Sequence, residues 1–256
     1  MANVEMRQCE NGVTWIQINR EEIRNAVNEQ VMKELNKALD MAELDESKVI
    51  VLSGAGKRAF CSGGDLTAFQ HLMTEEDAKK MFSKMGSILE RIAFFPKITV
   101  AALNGTAVGG GSELASACDL RIAAPHSKVG FVQANLGITT GWGGATLLFE
   151  RIPKPEALHM LVTAKMFPVT DLVNNGFIKE IIHKEPFEEG VIDYVTPFLS
   201  HSAEVLKAYK LRLIEHMNRS VIHQHISNEI SHCAKLWETK EHHEAVRTFL
   251  HSSKES

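Results

Sequence analysis

Three features are missing from this chain of 256 residues, and each absence excludes a class of function. No apolar run approaches the roughly 18 residues that a membrane-spanning helix needs. Positive charge is not in excess, because the net charge is −4, so electrostatics gives no case for nucleic-acid binding. The first residues lack a basic segment followed by an apolar one, so no signal peptide is predicted. We therefore expect a cytoplasmic protein that binds neither a membrane nor nucleic acid.

Cysteine is scarce and scattered, and histidine is clustered without a metal-binding pattern. The four cysteines have no CxxC spacing, which favours free thiols in a reducing compartment. Cys61 has no obvious base near it in sequence that would make it a nucleophile. Eight of the twelve histidines lie in residues 201–256, but His223, His225 and His232 lack a further ligand at zinc-site spacing. We expect no metal ion.

Apolar strand-like segments alternate with amphipathic helical patterns over the first two thirds of the chain. Residues 13–19 alternate as a half-buried strand does, and residues 49–53 and 98–103 are continuous apolar runs typical of a parallel sheet. Such alternation predicts parallel strands joined by crossover helices, that is, an α/β fold. From about Pro186 onward the pattern predicts helices alone. Periodicity does not distinguish one α/β arrangement from another.

The most informative segment is Asn104-Gly-Thr-Ala-Val-Gly-Gly-Gly-Ser-Glu-Leu114, which joins a predicted strand to a predicted short helix. Glycines at this turn allow another group to approach the backbone closely, because no Cβ intervenes. The free N–H groups at a helix start carry partial positive charge and suit an oxyanion. Glu113 follows within about one helical turn, and a carboxylate beside an oxyanion site is equipped to move a proton next to a carbonyl.

A second strand also runs into a glycine turn, in Ala59-Phe-Cys-Ser-Gly-Gly-Asp-Leu66. Two such turns can supply two N–H donors to one oxygen. In this order and separation the two segments resemble the crotonase superfamily, the enoyl-CoA hydratase/isomerase family. Further matches to the family are Ile18-Asn-Arg20, Arg24-Asn-Ala26, Cys118-Asp-Leu-Arg-Ile-Ala123, Leu136-Gly-Ile138 and Gly141-Trp-Gly-Gly144.

The resemblance implies a crotonase-like spiral of β-β-α turns with a C-terminal helical region. It implies an acyl-CoA-binding core over residues 1–185 and a helical oligomerisation region over 186–256, assembled as a homotrimer or homohexamer. By the same resemblance, Phe249 and Lys254 lie near the coenzyme of an adjacent subunit. The substrate is an acyl-CoA thioester, with coenzyme A as part of the substrate and no other cofactor.

The resemblance also implies roles for individual residues. Gly64 and Gly110 donate to the enolate oxygen, and Glu113 transfers the proton. Arg24 lies near the phosphate and adenine end of coenzyme A, although an ordinary exposed arginine is the alternative. The predicted substrate-binding residues are Arg24, Ser62, Asp65, Leu66, Gln133, Thr139, Thr140 and Trp142. Trp142 stands where a small residue is usual, and it either shortens the acyl pocket or simply packs.

The family distributes carboxylates over three positions, and only Glu113 is charged here. A hydratase carries Glu where this chain has Gln133, and Gly141 occupies the third position. Hydration benefits from two carboxylates, and an amide neither gains nor loses a proton near neutral pH. Loss of CO2 from a malonyl-type thioester needs no base, and Gln133, Thr139 and Thr140 are candidates to orient the departing carboxylate. Segments around Asn135 and Trp142 resemble methylmalonyl- and ethylmalonyl-CoA decarboxylases.

We therefore predict an acyl-CoA lyase that works through an enolate, with decarboxylation of a short malonyl-CoA-type substrate slightly favoured. One alternative is a 2-enoyl-CoA hydratase of fatty-acid or amino-acid degradation that relies on Glu113 alone. The alternative from another class is a catalytically silent subunit that binds acyl-CoA.

Overall fold

A computed structural model describes residues 2–9 and 11–252 of the chain. The strands found there, numbered in chain order, are β1 Val4–Cys9, β2 Val13–Ile18, β3 Val49–Gly54, β4 Ala59–Cys61, β5 Ile98–Leu103, β6 Thr106–Val108, β7 Leu120–Ala123, β8 Lys128–Gly130, β9 Phe167–Pro168 and β10 Glu180–Ile181. The α-helices are α1 Glu29–Leu44, α2 Leu66–Phe69, α3 Glu75–Ala93, α4 Gly110–Ala117, α5 Gly144–Phe149, α6 Lys154–Thr163, α7 Val169–Asn174, α8 Phe187–Leu199, α9 Ala203–His216, α10 Arg219–Trp237 and α11 Lys240–Ser252.

The larger sheet has six strands in the order β1, β2, β3, β5, β7 and β10. The first two form an antiparallel hairpin, and every later pair of neighbours is parallel. Parallel neighbours require crossover connections, which is why helices alternate with the strands along the chain. The predicted α/β class is confirmed.

A smaller sheet of β4, β6, β8 and β9 positions the two glycine turns. Each of β4 and β6 follows a strand of the larger sheet, β3 and β5 respectively. Because β3 and β5 are parallel neighbours, the chain leaves both at the same edge of the sheet. There β4 and β6 pair in parallel, with Ala59 opposite Thr106. The segments that carry Gly64 and Gly110 therefore run side by side.

Both faces of the larger sheet are buried, as the continuous apolar runs predict. In β3, Ile50 and Leu52 join the main core cluster together with the apolar faces of α1 and α3. Val49 and Val51 point to the opposite face, where they join a second cluster that includes Val191 of α8. This alternation follows from the two-residue side-chain period of a strand.

The C-terminal helices pack against the core of their own chain. One face of the larger sheet is covered by α8, and α10 packs along α3 with Ile222, Ile226 and Ile230 in the main cluster. The division at residue 185 and a role of 186–256 in oligomerisation stay predictions. Lys254 lies outside the described residues. Of the helices that are described, none is long and apolar enough to cross a bilayer.

Candidate active site

The two glycine turns approach each other so closely that side chains are excluded between them. Gly63 has a φ of +92°, and a Cβ on it would lie 3.0 Å from the Gly110 nitrogen. A Cβ on Gly111 would overlap the carbonyl oxygen of Cys61. Glycine is required here both for the left-handed backbone and for the close approach.

The N–H groups of Gly64 and Gly110 donate no hydrogen bond to any group in the described part of the chain. Gly110 is the first residue of α4, where an N–H has no partner within the helix. The residues on either side of Gly64 both bond to Val27. The Gly63 carbonyl oxygen accepts from the Val27 N–H at 2.8 Å, and the Asp65 N–H donates to the Val27 carbonyl oxygen at 2.9 Å. Two free donors on adjacent turns can bind an oxyanion.

The indole of Trp142 forms a wall beside both donors. A Cβ on Gly64 would lie 3.6 Å from its Cζ2 atom, and a Cβ on Gly110 would overlap its ring. Trp142 is only 4% exposed and belongs to the main core cluster. It therefore packs in the core and lies beside the two glycines, while shortening of the acyl pocket stays a prediction.

Glu113 lies on α4 one turn after Gly110 and is 2% exposed. Its Oε2 accepts hydrogen bonds from the N–H groups of Trp142 at 2.8 Å and Gly144 at 2.9 Å. The side-chain Nε2 of Gln133 donates to Oε1 at 2.8 Å. A Cβ on Gly144 would overlap the Glu113 side chain, which explains the glycine at the start of α5.

The environment of Glu113 favours its neutral form. Burial and the nearby carboxyl of Glu229 raise the pKa of Glu113 to about 8, against the opposing effect of donors from Trp142, Gly144 and Gln133. A carboxyl with this pKa is largely protonated at neutral pH and suits the role of an acid better than that of a base.

Gln133 is buried and its amide is only half satisfied. While Nε2 donates to Glu113, the buried Oε1 has no hydrogen-bond partner among the described residues. An unpaired buried acceptor is costly and indicates a place for a donor. Rotation of the amide exchanges its oxygen and nitrogen, so the Gln133 oxygen can also accept a hydrogen bond from the protonated carboxyl of Glu113.

Glu229 of α10 is a second carboxyl that the sequence analysis missed. It accepts hydrogen bonds from the N–H of Ala145 at 3.2 Å and of Thr146 at 2.9 Å, and from the Thr146 hydroxyl at 2.7 Å. A signal was present in the sequence, because Glu229 interrupts the apolar stripe of α10 that runs through Ile222, Ile226 and Cys233.

Thr139 and Thr140, which are predicted to bind the substrate, form hydrogen bonds within the protein. The Thr140 hydroxyl is buried, accepts from Ala145 N–H at 3.3 Å and hydrogen-bonds to Glu229. Thr139 is exposed, and its hydroxyl donates to the carbonyl oxygen of Thr140 at 3.2 Å. Binding of a substrate carboxylate by these residues stays a prediction, and for Thr140 it would require exchange of existing partners.

The residues around the first turn have structural contacts of their own. Asp65 caps α2 by accepting from Ala68 N–H at 3.1 Å, and it pairs with Arg20 at 3.1 Å. Ser62 is half-buried, with its hydroxyl 3.4 Å from the carbonyl oxygen of Ile23. Arg24 is exposed, and its φ of +56° is unusual for a residue with a side chain. Contact of these residues with a substrate stays a prediction.

Leu66 lines a cavity of about 440 Å³ between the α2 region and the C-terminal helices. Phe69 lines the same cavity and stands beside Gly64, so the cavity adjoins the first glycine turn. Its wall is mainly apolar, and basic side chains join the lining at the C-terminal end of the chain. These are Lys240, His242, His243 and Arg247.

The thiol of Cys61 is unsuited to nucleophilic attack. It is fully buried, and this burial raises its pKa to about 12. Its sulfur accepts a hydrogen bond from Gly63 N–H at 3.4 Å, so its contacts are structural. In the described part of the chain, no cluster of three or more His, Cys, Asp or Glu has a geometry that could hold a metal ion.

Comparison with known proteins identifies the family of this chain. The family model described as Enoyl-CoA hydratase/isomerase matches residues 8–256. This chain belongs to the enoyl-CoA hydratase/isomerase family. The resemblance inferred from the sequence is confirmed, and the chain has the crotonase-type α/β fold of an enzyme family that acts on acyl-CoA.

Members of the enoyl-CoA hydratase/isomerase family with different names are similar to this chain. The human ethylmalonyl-CoA decarboxylase is 32% identical over 213 residues, which cover 81% of this chain and 69% of that protein. The short-chain-enoyl-CoA hydratase of Clostridium acetobutylicum is 26% identical over 247 residues, which cover 96% of this chain and 94% of the relative. The family is thus clear, and the reaction differs between relatives.

Solved structures of the family share the fold. The enoyl-CoA hydratase from Bacillus halodurans superposes with a TM-score of 0.87 at 21% identity, covering 96% of this chain and 99% of that one. The carnitinyl-CoA hydratase from Mycobacterium avium has a TM-score of 0.85 at 27% identity, covering 98% of this chain and 97% of that one.

Proposed function

We propose that this protein is an acyl-CoA lyase that removes CO2 from a short malonyl-CoA-type thioester through an enolate. The observation that carries the proposal is the state of Glu113, a buried carboxyl whose pKa is raised to about 8 and whose neighbour is the neutral Gln133. Decarboxylation needs an acid to protonate the enolate and no base to form it. Hydration needs a base to activate water, and the site holds an acid instead.

In the proposed reaction the bond between the α-carbon and the substrate carboxylate breaks and CO2 leaves. The electron pair of that bond forms the enolate, whose oxygen accepts hydrogen bonds from the free N–H groups of Gly64 and Gly110. The enolate carbon takes the proton of Glu113, and the resulting carboxylate regains a proton from solvent. No cofactor is required beyond the coenzyme A portion of the substrate.

A short acyl group fits the wall formed by Trp142. Its ring lies against both glycine turns, so a substituent on the α-carbon meets the indole soon after leaving the oxyanion site. The relatives named ethylmalonyl-CoA decarboxylase act, by that name, on a thioester with a short substituent. We propose a substrate with a substituent of similar size.

The apolar cavity beside Phe69 supports binding of a coenzyme A thioester. Apolar side chains suit the pantetheine arm, and Lys240 and Arg247 bring positive charge suited to phosphate. Arg24 keeps its predicted role at the phosphate and adenine end. Assembly as a homotrimer or homohexamer and a cytoplasmic location also remain proposals; light scattering on purified protein measures the first directly.

The deciding experiment is a panel of acyl-CoA thioesters with mass detection of CO2 loss and water gain. Methylmalonyl-CoA and ethylmalonyl-CoA are expected to lose CO2, and crotonyl-CoA is expected to gain water slowly or not at all. Fast hydration of crotonyl-CoA would establish the hydratase alternative, in line with the Clostridium relative. Binding without turnover of any panel member would establish the silent acyl-CoA binder.

Gln133→Glu tests why the reaction is decarboxylation. The variant places a third carboxyl beside Glu113 and Glu229 and opposite the substrate carboxylate, so decarboxylation should slow through like-charge repulsion. Hydration of crotonyl-CoA should rise, because water gains a second carboxyl group. Gln224→Glu, on the exposed face of α10, is the matched control and should change neither rate. Parallel movement of both activities would contradict the proposed role of Gln133.

A further inference from the structure

Glu229 reaches the site from α10, far from the glycine turns in sequence, and it holds the first turn of α5. Its two oxygens accept from the consecutive N–H groups of Ala145 and Thr146 and from the Thr146 hydroxyl. The Thr140 hydroxyl is a further partner. Burial of a carboxyl on an otherwise apolar helix face costs free energy, which its donors offset only in part. Packing alone therefore does not explain Glu229.

The same short stretch of backbone holds Glu113. Trp142 and Gly144 donate to Glu113, and the next two N–H groups, those of Ala145 and Thr146, donate to Glu229. The two carboxyl groups are therefore bound to adjacent peptide units. Ionisation of one therefore disfavours ionisation of the other, and the nearby Glu229 carboxylate raises the pKa of Glu113.

We infer that Glu229 is a positioning residue that keeps the catalytic proton on Glu113, through its negative charge at the shared turn of α5. The inference rests on the proposed function in that Glu113 is the proton donor of the reaction. In this inference Glu229 acts through Glu113 and makes no contact with the substrate.

Burial decides which member of the pair carries the proton. Glu113 is 2% exposed, whereas Glu229 is half-buried and has hydroxyl donors from Thr140 and Thr146 in addition to backbone N–H groups. Each carboxyl accepts four hydrogen bonds, since the Gly141 N–H also donates to Glu113 at 3.4 Å. Burial raises the pKa of both carboxyls, and the more exposed Glu229 keeps its charge more easily. The shared proton therefore resides mainly on Glu113.

The other described groups that face Glu113 and Glu229 bring no positive charge that would offset the negative charge of these carboxyls. The Cys233 thiol of α10 donates to the carbonyl oxygen of Thr139 at 3.1 Å, and burial raises its pKa, so it stays neutral. Gln133 is an uncharged amide. Within the described residues, neither Glu113 nor Glu229 forms an ion pair with Lys, Arg or His. The coupling between the two carboxyls is thus the dominant charge interaction at this place.

Titration of Glu113 in the free protein tests the inference without any substrate. Infrared difference spectra follow the protonated carboxyl band with pH, and Glu113→Gln identifies the band that belongs to Glu113. Glu229→Gln removes the neighbouring charge and should lower the midpoint of that band by about one pH unit or more. Glu229→Asp retains the charge and should stay closer to the native midpoint.

Glu90→Gln is the matched control, since Glu90 also faces α10 but pairs with His223 at 2.8 Å, away from α5. It should leave the midpoint unchanged. An unchanged midpoint in folded Glu229→Gln would overturn the inference. Equal shifts in the Gln and Asp variants would overturn it as well, because they would indicate altered packing rather than charge.

A second readout is the pH dependence of kcat for CO2 loss. Its alkaline limb should move to lower pH in Glu229→Gln by the same amount as the infrared midpoint. If no malonyl-type thioester is turned over, the proposed function fails, while the infrared titration still decides whether Glu229 controls Glu113.

Discussion

The candidate site has two halves that are built in different ways. One half, the oxyanion half, consists of backbone alone, from the turns around Gly64 and Gly110. The other, the acid half, consists of side chains, with Glu113, Gln133 and Glu229 gathered around the first turn of α5. The first half is positioned by neighbouring parallel strands, and the second by contacts between segments far apart in the chain.

The two halves also differ in how they tolerate change. In the oxyanion half, the donors are fixed by the absence of side chains, so any Cβ disturbs them. In the acid half, the carboxyl and amide groups can be exchanged for others of similar shape, and the proton affinity changes with each exchange. Changes in the acid half can therefore alter the proton chemistry while the oxyanion half stays intact.

Removal of the acid should have the largest effect. Glu113→Gln should lower kcat for decarboxylation by about 10²–10⁴, because the enolate loses its proton donor. Coenzyme A binding should be nearly unaffected. Steady-state kinetics and calorimetric binding check this, with Glu150→Gln at the exposed end of α5 as the matched control. A kcat equal to that of the native protein would move the chemistry away from Glu113.

A Cβ in the oxyanion half should have the next largest effect. Gly110→Ala should lower kcat by about 10²–10³, because the added carbon overlaps the Trp142 ring and displaces the N–H donor. Gly110→Val should abolish turnover for the same reason. Gly176→Ala, at a turn with open space around the glycine, is the control for a general stability cost.

Trp142→Ala in the Gly110→Ala background tests whether overlap with the indole ring causes the loss of kcat. The smaller side chain removes the overlap but leaves a cavity in the main core, so kcat is the readout, and it should recover in part if the overlap causes the loss. Full catalytic activity in a folded Gly110→Ala protein would show that this N–H is not a donor to the substrate.

The contrast between the halves also explains what the sequence could predict. The oxyanion half is encoded locally, since each strand, turn and helix start is contiguous in the chain, and the family resemblance follows from those segments. The environment of Glu113 is not local: Gln133, Gly144 and Glu229 approach it only in the folded chain. The sequence alone therefore predicts Glu113 as the sole carboxyl of the site, although it also shows Glu229 within the apolar stripe of α10.

Asp65 illustrates a different limit of sequence reasoning. The motif predicts a role beside the substrate, which stays a prediction, and the fold adds two contacts that the motif does not encode, with the start of α2 and with Arg20. Motif position identifies that a residue is near a site, and only the fold identifies which of its neighbours it contacts.

The pH dependence of turnover should show a moderate effect that belongs to the acid half alone. The pKa of Glu113 is raised above its ordinary value, so the neutral, proton-donating form dominates below about pH 8 and is lost above it. kcat for CO2 loss should therefore fall as pH rises through about 8, by about tenfold per unit well above the midpoint. A rate that instead rises through this range would identify Glu113 as a base.

The smallest expected effect is at Asp65, next to the oxyanion half. Asp65→Ala removes the cap of α2 and the pair with Arg20, which should lower the free energy of unfolding by about 1 kcal/mol. Because the observed contacts of Asp65 are structural, kcat and KM should remain close to native. Chemical denaturation and steady-state kinetics on the same preparation measure both quantities, with Asp77→Ala near the start of α3 as a comparable removal of a half-buried carboxyl. An increase in KM without loss of stability would show that Asp65 contacts the substrate, and the boundary of the oxyanion half would then have to include its side chain.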